Sequence, residues 1–223
     1  MSRKAIIASE AQPYVGGLLV LSGVVGIYSS WVWTLPIIVS LGLVIYFYRM
    51  ETRAIPPIPM GVVSPVDGTV DFIADDVIDP YLERAAKVIS IEVSPWGEFH
   101  LRIPIEGKVL KQWLGSGSKH KKYFNKHTAQ PHELEQLDLP SIYAAHIQTD
   151  EGDDLVLEIS RSSWPRPRCN VFVGERVGHG QRRGLVGIGG HVAVYLPRTS
   201  RFEVKKCSQV KSGSQVIGTL LHE

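Results

Sequence analysis

Asp67 lies in SPVDG (Ser64–Gly68), an acid between a proline and a glycine, where a carboxylate can hold or move a proton at a tight turn. His100 lies in FHLRIP (Phe99–Pro104) and brings an imidazole that exchanges its proton near neutral pH. GLVGIGGHVAVYLP, residues 184–197, sets a glycine-rich turn before an alternating apolar run. Such a turn suits the presentation of a reactive group, yet Gly187 to Gly190 contains no serine, cysteine, lysine or acid. LGSGS (Leu114–Ser118) does hold serines, but its flanks lack the strand and turn pattern, and it reads as a polar loop. Each acid or base also has a plain structural reading. Asp67 makes an Asx-type bond ahead of Gly68, and His100 is a structural histidine at a strand end. The glycines at 187–190 are not a nucleotide-binding fingerprint, because a strand rather than a helix follows them.

Two basic stretches stand apart from these motifs. KHKKYFNKH (Lys119–His127) combines lysines with Tyr123 and Phe124, and RSSWPRPR (Arg161–Arg168) combines arginines with Trp164. Near a bilayer, Lys119, Lys121, Lys122, Arg166 and Arg168 are candidate contacts for lipid headgroups, each cation contributing about 1 kcal/mol at an anionic surface. The alternative is solvated loop charge. Nucleic acid is not expected: the net charge is only +2 and no reading motif accompanies the patches. Cys169 and Cys207, the only cysteines, form neither a disulfide framework nor a metal-type CxxC pair, which points to a reducing compartment and no metal.

The elements that must position these residues are mainly strands. KVISIEVSPW and HVAVYLP alternate apolar and polar residues, VSPVDGTVDFI reads strand, turn, strand, and DLVLEIS, RCNVFV, LVGIGG, RFEVKK and QVIGTLLHE are short runs between turn residues. Residues 119–139 are polar, with room for one short helix. The expected fold class is therefore mainly β, a sandwich or barrel-hybrid-like domain over 61–223. One echo runs through it: Val177 and Val210 are each followed by a glycine three residues on (Gly180, Gly213) and another soon after (Gly184, Gly218). It is read equally as a true repeat or as two unrelated turns. Ahead of the domain, 51–60 (ETRAIPPIPM) is a stiff Pro-rich linker.

Residues 1–50 differ from everything after them. Tyr14 to Tyr48 is a run of 35 residues without a charged side chain. As one helix it would be about 52 Å long, well over the ~30 Å hydrocarbon core. Ser29, Ser30, Thr34 and Pro36 interrupt it, so the expectation is a transmembrane hairpin of two helices, near Tyr14–Ile27 and Leu35–Tyr48, spanning twice or re-entrant. Trp31, Trp33, Tyr46 and Tyr48 suit the interfaces, and the cations Arg3, Lys4, Arg49 and Arg53 at both ends place the β-rich part on the cytoplasmic side. The run is too long for a signal peptide, and no small-residue cleavage site follows it.

SPVDG, FHLRIP and GERVGHGQRRGLVGIGGHVAVYLP (Gly174–Pro197), in that order after YFYRME (Tyr46–Glu51), resemble the phosphatidylserine decarboxylases, in particular their short, membrane-anchored bacterial and archaeal form. The resemblance spans about Pro13 to Leu220, and its late block is the most specific part. It implies a proenzyme that cuts itself within a Gly-Ser pair, turns the serine into an N-terminal pyruvoyl group, and uses that ketone as the electron sink for converting phosphatidylserine to phosphatidylethanolamine and CO2. It also implies that Asp67 helps deprotonate the serine. His100 falls near the family's histidine segment, although alignment on Pro104 puts Phe99 and Arg102 at the two histidine positions instead. At the cleavage site the family glycine is Gly189, and Gly190 stands where the serine belongs. Glycine has neither the hydroxyl that attacks the preceding carbonyl nor the β-carbon from which elimination proceeds. No cofactor is therefore supported by this sequence, and the chain is expected as one intact polypeptide of 24.7 kDa.

These residues imply a phosphatidylserine-decarboxylase-like membrane protein of phospholipid metabolism. The alternatives are a catalytically inactive relative that binds lipid or a partner, and a membrane-anchored sandwich-hybrid adaptor. The expected partners are an anionic membrane phospholipid and, as protein partner, a second copy or a catalytically competent relative. A serine at 190 is expected to restore cleavage where Asp67 and His100 face the loop.

Overall fold

The computed structural model describes residues 11–28, 32, 34–115, 141–160 and 166–221. The chain divides into two compact units, Met1–Thr52 and Arg53–Glu223.

In the first unit the charge-free run forms two helices packed on each other, α1 (Gln12–Tyr28) and α2 (Thr34–Phe47). Many of their apolar side chains point outwards: Leu19, Val20 and Ile27 of α1 and Ile38, Val39 and Leu43 of α2 are exposed. The hydroxyls are turned back into the helices, Ser22 Oγ donating to the Leu19 carbonyl and Ser40 Oγ to the Pro36 carbonyl, both at 2.8 Å. Tyr14 and Tyr48 stack with ring centroids 6.4 Å apart. The two-helix hairpin forms, and among the described residues no helix is long and apolar enough to cross a membrane. At 17 and 14 residues the helices measure about 26 and 21 Å, short of a ~30 Å core. Trp31 and Trp33 lie outside the described residues.

Among the described residues, the second unit is all strand and turn. In chain order the strands are β1 (Gly61–Val63), β2 (Gly68–Ile78), β3 (Ala85–Val93), β4 (His100–Arg102), β5 (Gly107–Leu114), β6 (Ser141–Gln148), β7 (Asp154–Ser160), β8 (Arg168–Cys169), β9 (Arg176–Val177), β10 (Arg182–Leu185), β11 (His191–Pro197), β12 (Arg201–Phe202), β13 (Gln209–Val210) and β14 (Val216–Thr219). They build an antiparallel eight-stranded sheet, β13-β2-β3-β11-β7-β6-β5-β9, and two three-stranded sheets, β1-β14-β12 and β4-β10-β8. The central strands are buried on both faces. On one face Ile91, Val192 and Ile159 lie side by side, as do Ile89, Val194 and Leu157. On the other, Phe72, Val88, Val156 and Tyr195 pack under Tyr81, Leu82 and Trp113. Glu158 is buried within that second face and accepts the Tyr195 hydroxyl at 2.9 Å. RCNVFV is a strand only over Arg168–Cys169. A turn at Phe172–Glu175, with Gly174 at φ +87°, ends it and leaves Phe172 and Val173 exposed.

The echo between Val177 and Val210 is a structural repeat. SPVDG opens β2 and IPIEG (Ile103–Gly107) opens β5. Gly68 pairs with Val210 on β13, and Gly107 pairs with Val177 on β9. Three residues after each valine, Gly213 (φ +69°) and Gly180 (φ +66°) turn the chain, and their amides donate to the carbonyls of Ser64 (2.8 Å) and Ile103 (2.9 Å). The neighbouring strands β3 and β6 also end alike. Gly97 N–H closes a turn onto Ser94 (3.3 Å), and Gly152 N–H closes one onto Thr149 (3.1 Å). Both corner glycines are required by close approach: a Cβ at Gly68 would lie 2.0 Å from the Glu92 carbonyl oxygen, and one at Gly107 would lie 2.3 Å from that of Gln148.

Candidate active site at the strand ends

Asp67 leads into β2 and is clamped from three directions. Its carboxylate accepts the amides of Glu98 (2.8 Å) and Ser212 (2.7 Å) and a two-pronged ion pair from Arg53, whose Nη2 lies 2.8 Å from Oδ2 and whose Nη1 meets Oδ1. Gly97 makes room for it, since a Cβ there would stand 2.4 Å from the Asp67 Cβ. Burial is the largest influence on this carboxyl and pushes its pKa up. The Arg53 guanidinium and the two amides outweigh burial and hold it below the usual carboxylate range. Its partners are thus remote in sequence, and both oxygens are already engaged by donors.

His100 belongs to a second buried cluster centred on Glu98, whose side chain has no exposed surface. Arg102 Nη2 donates to Glu98 Oε2 at 2.9 Å, Arg182 Nε stands 3.1 Å from Oε1, and His100 Nδ1 stands 3.5 Å from the same oxygen. The antiparallel pairing of β4 with β10 assembles it, placing Arg182 opposite Arg102 and Leu185 opposite His100. Sequence reasoning missed Glu98 and Arg53. A signal for Glu98 existed: Glu98, His100 and Arg102 alternate, so they share one side of an extended chain.

The Gly187–Gly190 turn reaches the same place. Gly190 N–H donates to the Gly187 carbonyl at 3.1 Å, Gly189 has φ +66°, and the Gly190 carbonyl accepts Val93 N–H at 2.8 Å. The next amide, Ser94 N–H, donates to the Asp67 carbonyl at 2.9 Å. Asp67 and Gly190 therefore flank the end of β3, one on each side. His100 joins through the β4–β10 pair, with Val186 N–H on the Phe99 carbonyl at 2.8 Å. The three elements are brought together, while the Asp67 carboxylate is held by Arg53 and the His100 imidazole faces Glu98. His191 continues into β11 opposite Ser160, with Nδ1 3.7 Å from the Asp71 carboxylate. Residue 190 supplies no side-chain hydroxyl and no β-carbon, so a self-generated pyruvoyl group does not fit this turn.

Of the basic residues, Arg166 and Arg168 are exposed, and Arg168 sits opposite Leu185 at the start of β8. Lys119, Lys121 and Lys122, the LGSGS serines and the helix expected within 119–139 lie outside the described residues. A cleft of about 240 Å³ runs between Leu114, Tyr143, Ile159, Pro167, Arg168 and Cys169. Burial pushes the Cys169 thiol up to about 11, which makes it an inert group at neutral pH. Cys169 and Cys207 are both free. Among the described residues, no group of three His, Cys, Asp or Glu side chains is placed to hold a metal ion.

The sequence profile of the family described as phosphatidylserine decarboxylase matches residues 41–218. A phosphatidylserine decarboxylase proenzyme of Nitrosomonas eutropha is 33% identical over 213 residues, covering 95% of this chain and 94% of the relative. That of Nitrosomonas europaea is 30% identical over 200 residues (89% and 88% covered), and that of Aromatoleum aromaticum 28% over 216 residues (96% of each). A β-rich unit that gathers SPVDG, FHLRIP and the late glycine turn at one sheet end, matched along nearly its whole length to these relatives, is phosphatidylserine-decarboxylase-like and of phospholipid metabolism: the chain belongs to the phosphatidylserine decarboxylase family.

Proposed function

We propose that the chain serves phosphatidylserine metabolism at the membrane as an unprocessed, single-polypeptide member of its family, recognising an aminophospholipid without building a pyruvoyl group from residue 190. The observation that carries this reading is the glycine at 190, in a turn that otherwise keeps its place at the end of β3 beside Asp67. The state of Asp67 supports it. A carboxylate already accepting from Arg53 and two amides is a weak base for a nearby hydroxyl.

The N-terminal helices supply membrane attachment in this reading. Their lengths favour a hairpin that enters the bilayer and returns over two full crossings, and the cations Arg49 and Arg53 beyond it favour a cytoplasmic β-rich unit facing anionic lipid. A second copy, or a relative that keeps its serine, is the protein partner that would put such a lipid-binding unit to use.

Intact mass spectrometry of the purified chain tests the reading. One species at 24.7 kDa is expected, with no carbon dioxide released from phosphatidylserine vesicles above background. Two fragments, the smaller with a hydrazine-reactive N-terminus, would overturn it. Gly190→Ser is expected to remain intact as well, because the added hydroxyl meets an acid that is already occupied; self-cleavage of that variant would show that Asp67 remains available as a base.

A further inference from the structure

The order of the large sheet gathers the starts of β2, β6 and β11 and the ends of β3, β5 and β7 along one rim. The Gly187–Gly190 turn is on this rim. So are Trp96, 78% exposed in the turn after β3, and Leu114, 83% exposed at the end of β5. Among the described residues, these are the two most exposed large apolar side chains of Arg53–Glu223. They stand at strands separated by four inter-strand spacings, about 19 Å. Exposed Arg168 lines the cleft next to Leu114, with exposed Arg166 just before it.

The opposite rim differs at the corresponding turn, and its acids Asp154 and Asp150 are paired there with Arg84 and Arg176. The turn Thr149–Gly152 is the repeat's counterpart of Ser94–Gly97, and it carries Asp150 and Glu151 where the first carries Pro95 and Trp96. Asp153 and Asp154 follow directly. A peptide or a folded partner is best met by a continuous apolar patch. Two separated apolar anchors, one of them beside exposed arginines, match a planar surface that is apolar below and anionic above. Tryptophan favours that boundary, and arginine favours its charge.

We infer that the rim bearing the Gly187–Gly190 turn docks on an anionic phospholipid bilayer, with Trp96 and Leu114 as insertion points and the Thr149–Gly152 rim facing away. This rests on the reading that the chain works on membrane phospholipid. It adds which end of the β-rich unit meets the lipid.

The test uses the full chain with Cys169→Ser and Cys207→Ser, labelled with an environment-sensitive fluorophore at Trp96→Cys or, separately, at Glu151→Cys. Each is mixed with vesicles of phosphatidylglycerol and phosphatidylcholine, or of phosphatidylcholine alone, and floated. The position-96 label is expected to blue-shift and to be quenched by spin-labelled lipid on the anionic vesicles, while the position-151 label keeps its aqueous emission. Aqueous emission from position 96 on chains that float overturns the docking rim and leaves membrane attachment standing. Equal shifts at both positions overturn it too, and chains that fail to float sink both ideas. Self-cleavage of the chain would sink the unprocessed reading without touching this result. Amide hydrogen exchange on the unsubstituted chain probes the same orientation without relying on the variants: vesicles should slow exchange at 94–97 and leave 149–152 unchanged, and the reverse pattern overturns the inference.

Discussion

The SPVDG and IPIEG corners share a backbone and differ in what they bury. Each opens a long strand at a glycine that touches a neighbouring carbonyl, each pairs with a valine on a short strand, and each is closed by a left-handed glycine. In the first, Asp67 is 6% exposed and held by Arg53 and two amides. In the second, Glu106 and its partner Arg176 have side chains 57% and 60% exposed, and Arg176 is shared with Asp150. The same fold element thus supports either a buried, fully engaged carboxylate or a solvated surface acid. What decides is the surroundings: Arg53 and Gly97 at one corner, open water at the other.

Breaking the ion pairs should give the largest contrast. Arg53→Met strands Asp67 in a site built for a counter-ion and is expected to cost about 3–5 kcal/mol in urea unfolding. Arg176→Met should leave the urea midpoint unmoved, because its pair is exposed to water and salt. Equal losses at the two corners would erase the distinction.

Acid titration sharpens the comparison at smaller cost. Asp67 has a folded-state pKa below its unfolded value of about 3.9, so its contribution to stability is present above that pH and fades as pH falls through the lower folded value. Asp67→Asn should flatten the acid limb of the stability profile. A profile indifferent to Asp67 would mean that the clamp does not hold the ionised form.

The glycine turns should show the smallest difference. Gly213→Ala and Gly180→Ala both place a side chain at positive φ, at about 1–2 kcal/mol. At Gly213 the new methyl would also stand 2.6 Å from Arg102 Cδ, and at Gly180 2.7 Å from Ile55 Cδ1, so each should exceed Gly189→Ala, where nothing lies within 4 Å. Thermal unfolding of the three variants ranks them.

Much of this was legible from residue order alone. Alternation marked β3 and β11, a short run between turn residues marked β7, and the ordered motifs placed Asp67, His100 and Gly190 on elements that do meet. The helices formed close to where the charge-free run put them. The missed features were those made by distant partners. Arg53 lay in a stretch read as a stiff linker, and its pairing with Asp67 is a side-chain event that backbone punctuation does not announce. Glu98 gains its meaning from Arg182, which the β4–β10 register alone brings near. The repeat was half visible through its valines and glycines. Its other half was masked by Ile103 and Glu106 standing where the first copy has Ser64 and Asp67.

The turn at 187–190 also has a bearing on assembly. It is the covalent bridge from β10, in one small sheet, to β11, the strand flanked by β3 and β7 near the middle of the large one. A chain severed there would hold its centre strand only by non-covalent grip, and once denatured it would have to find its missing piece again in solution. A chain left whole there, as proposed, carries that strand with it, so its refolding would be a first-order event at any dilution.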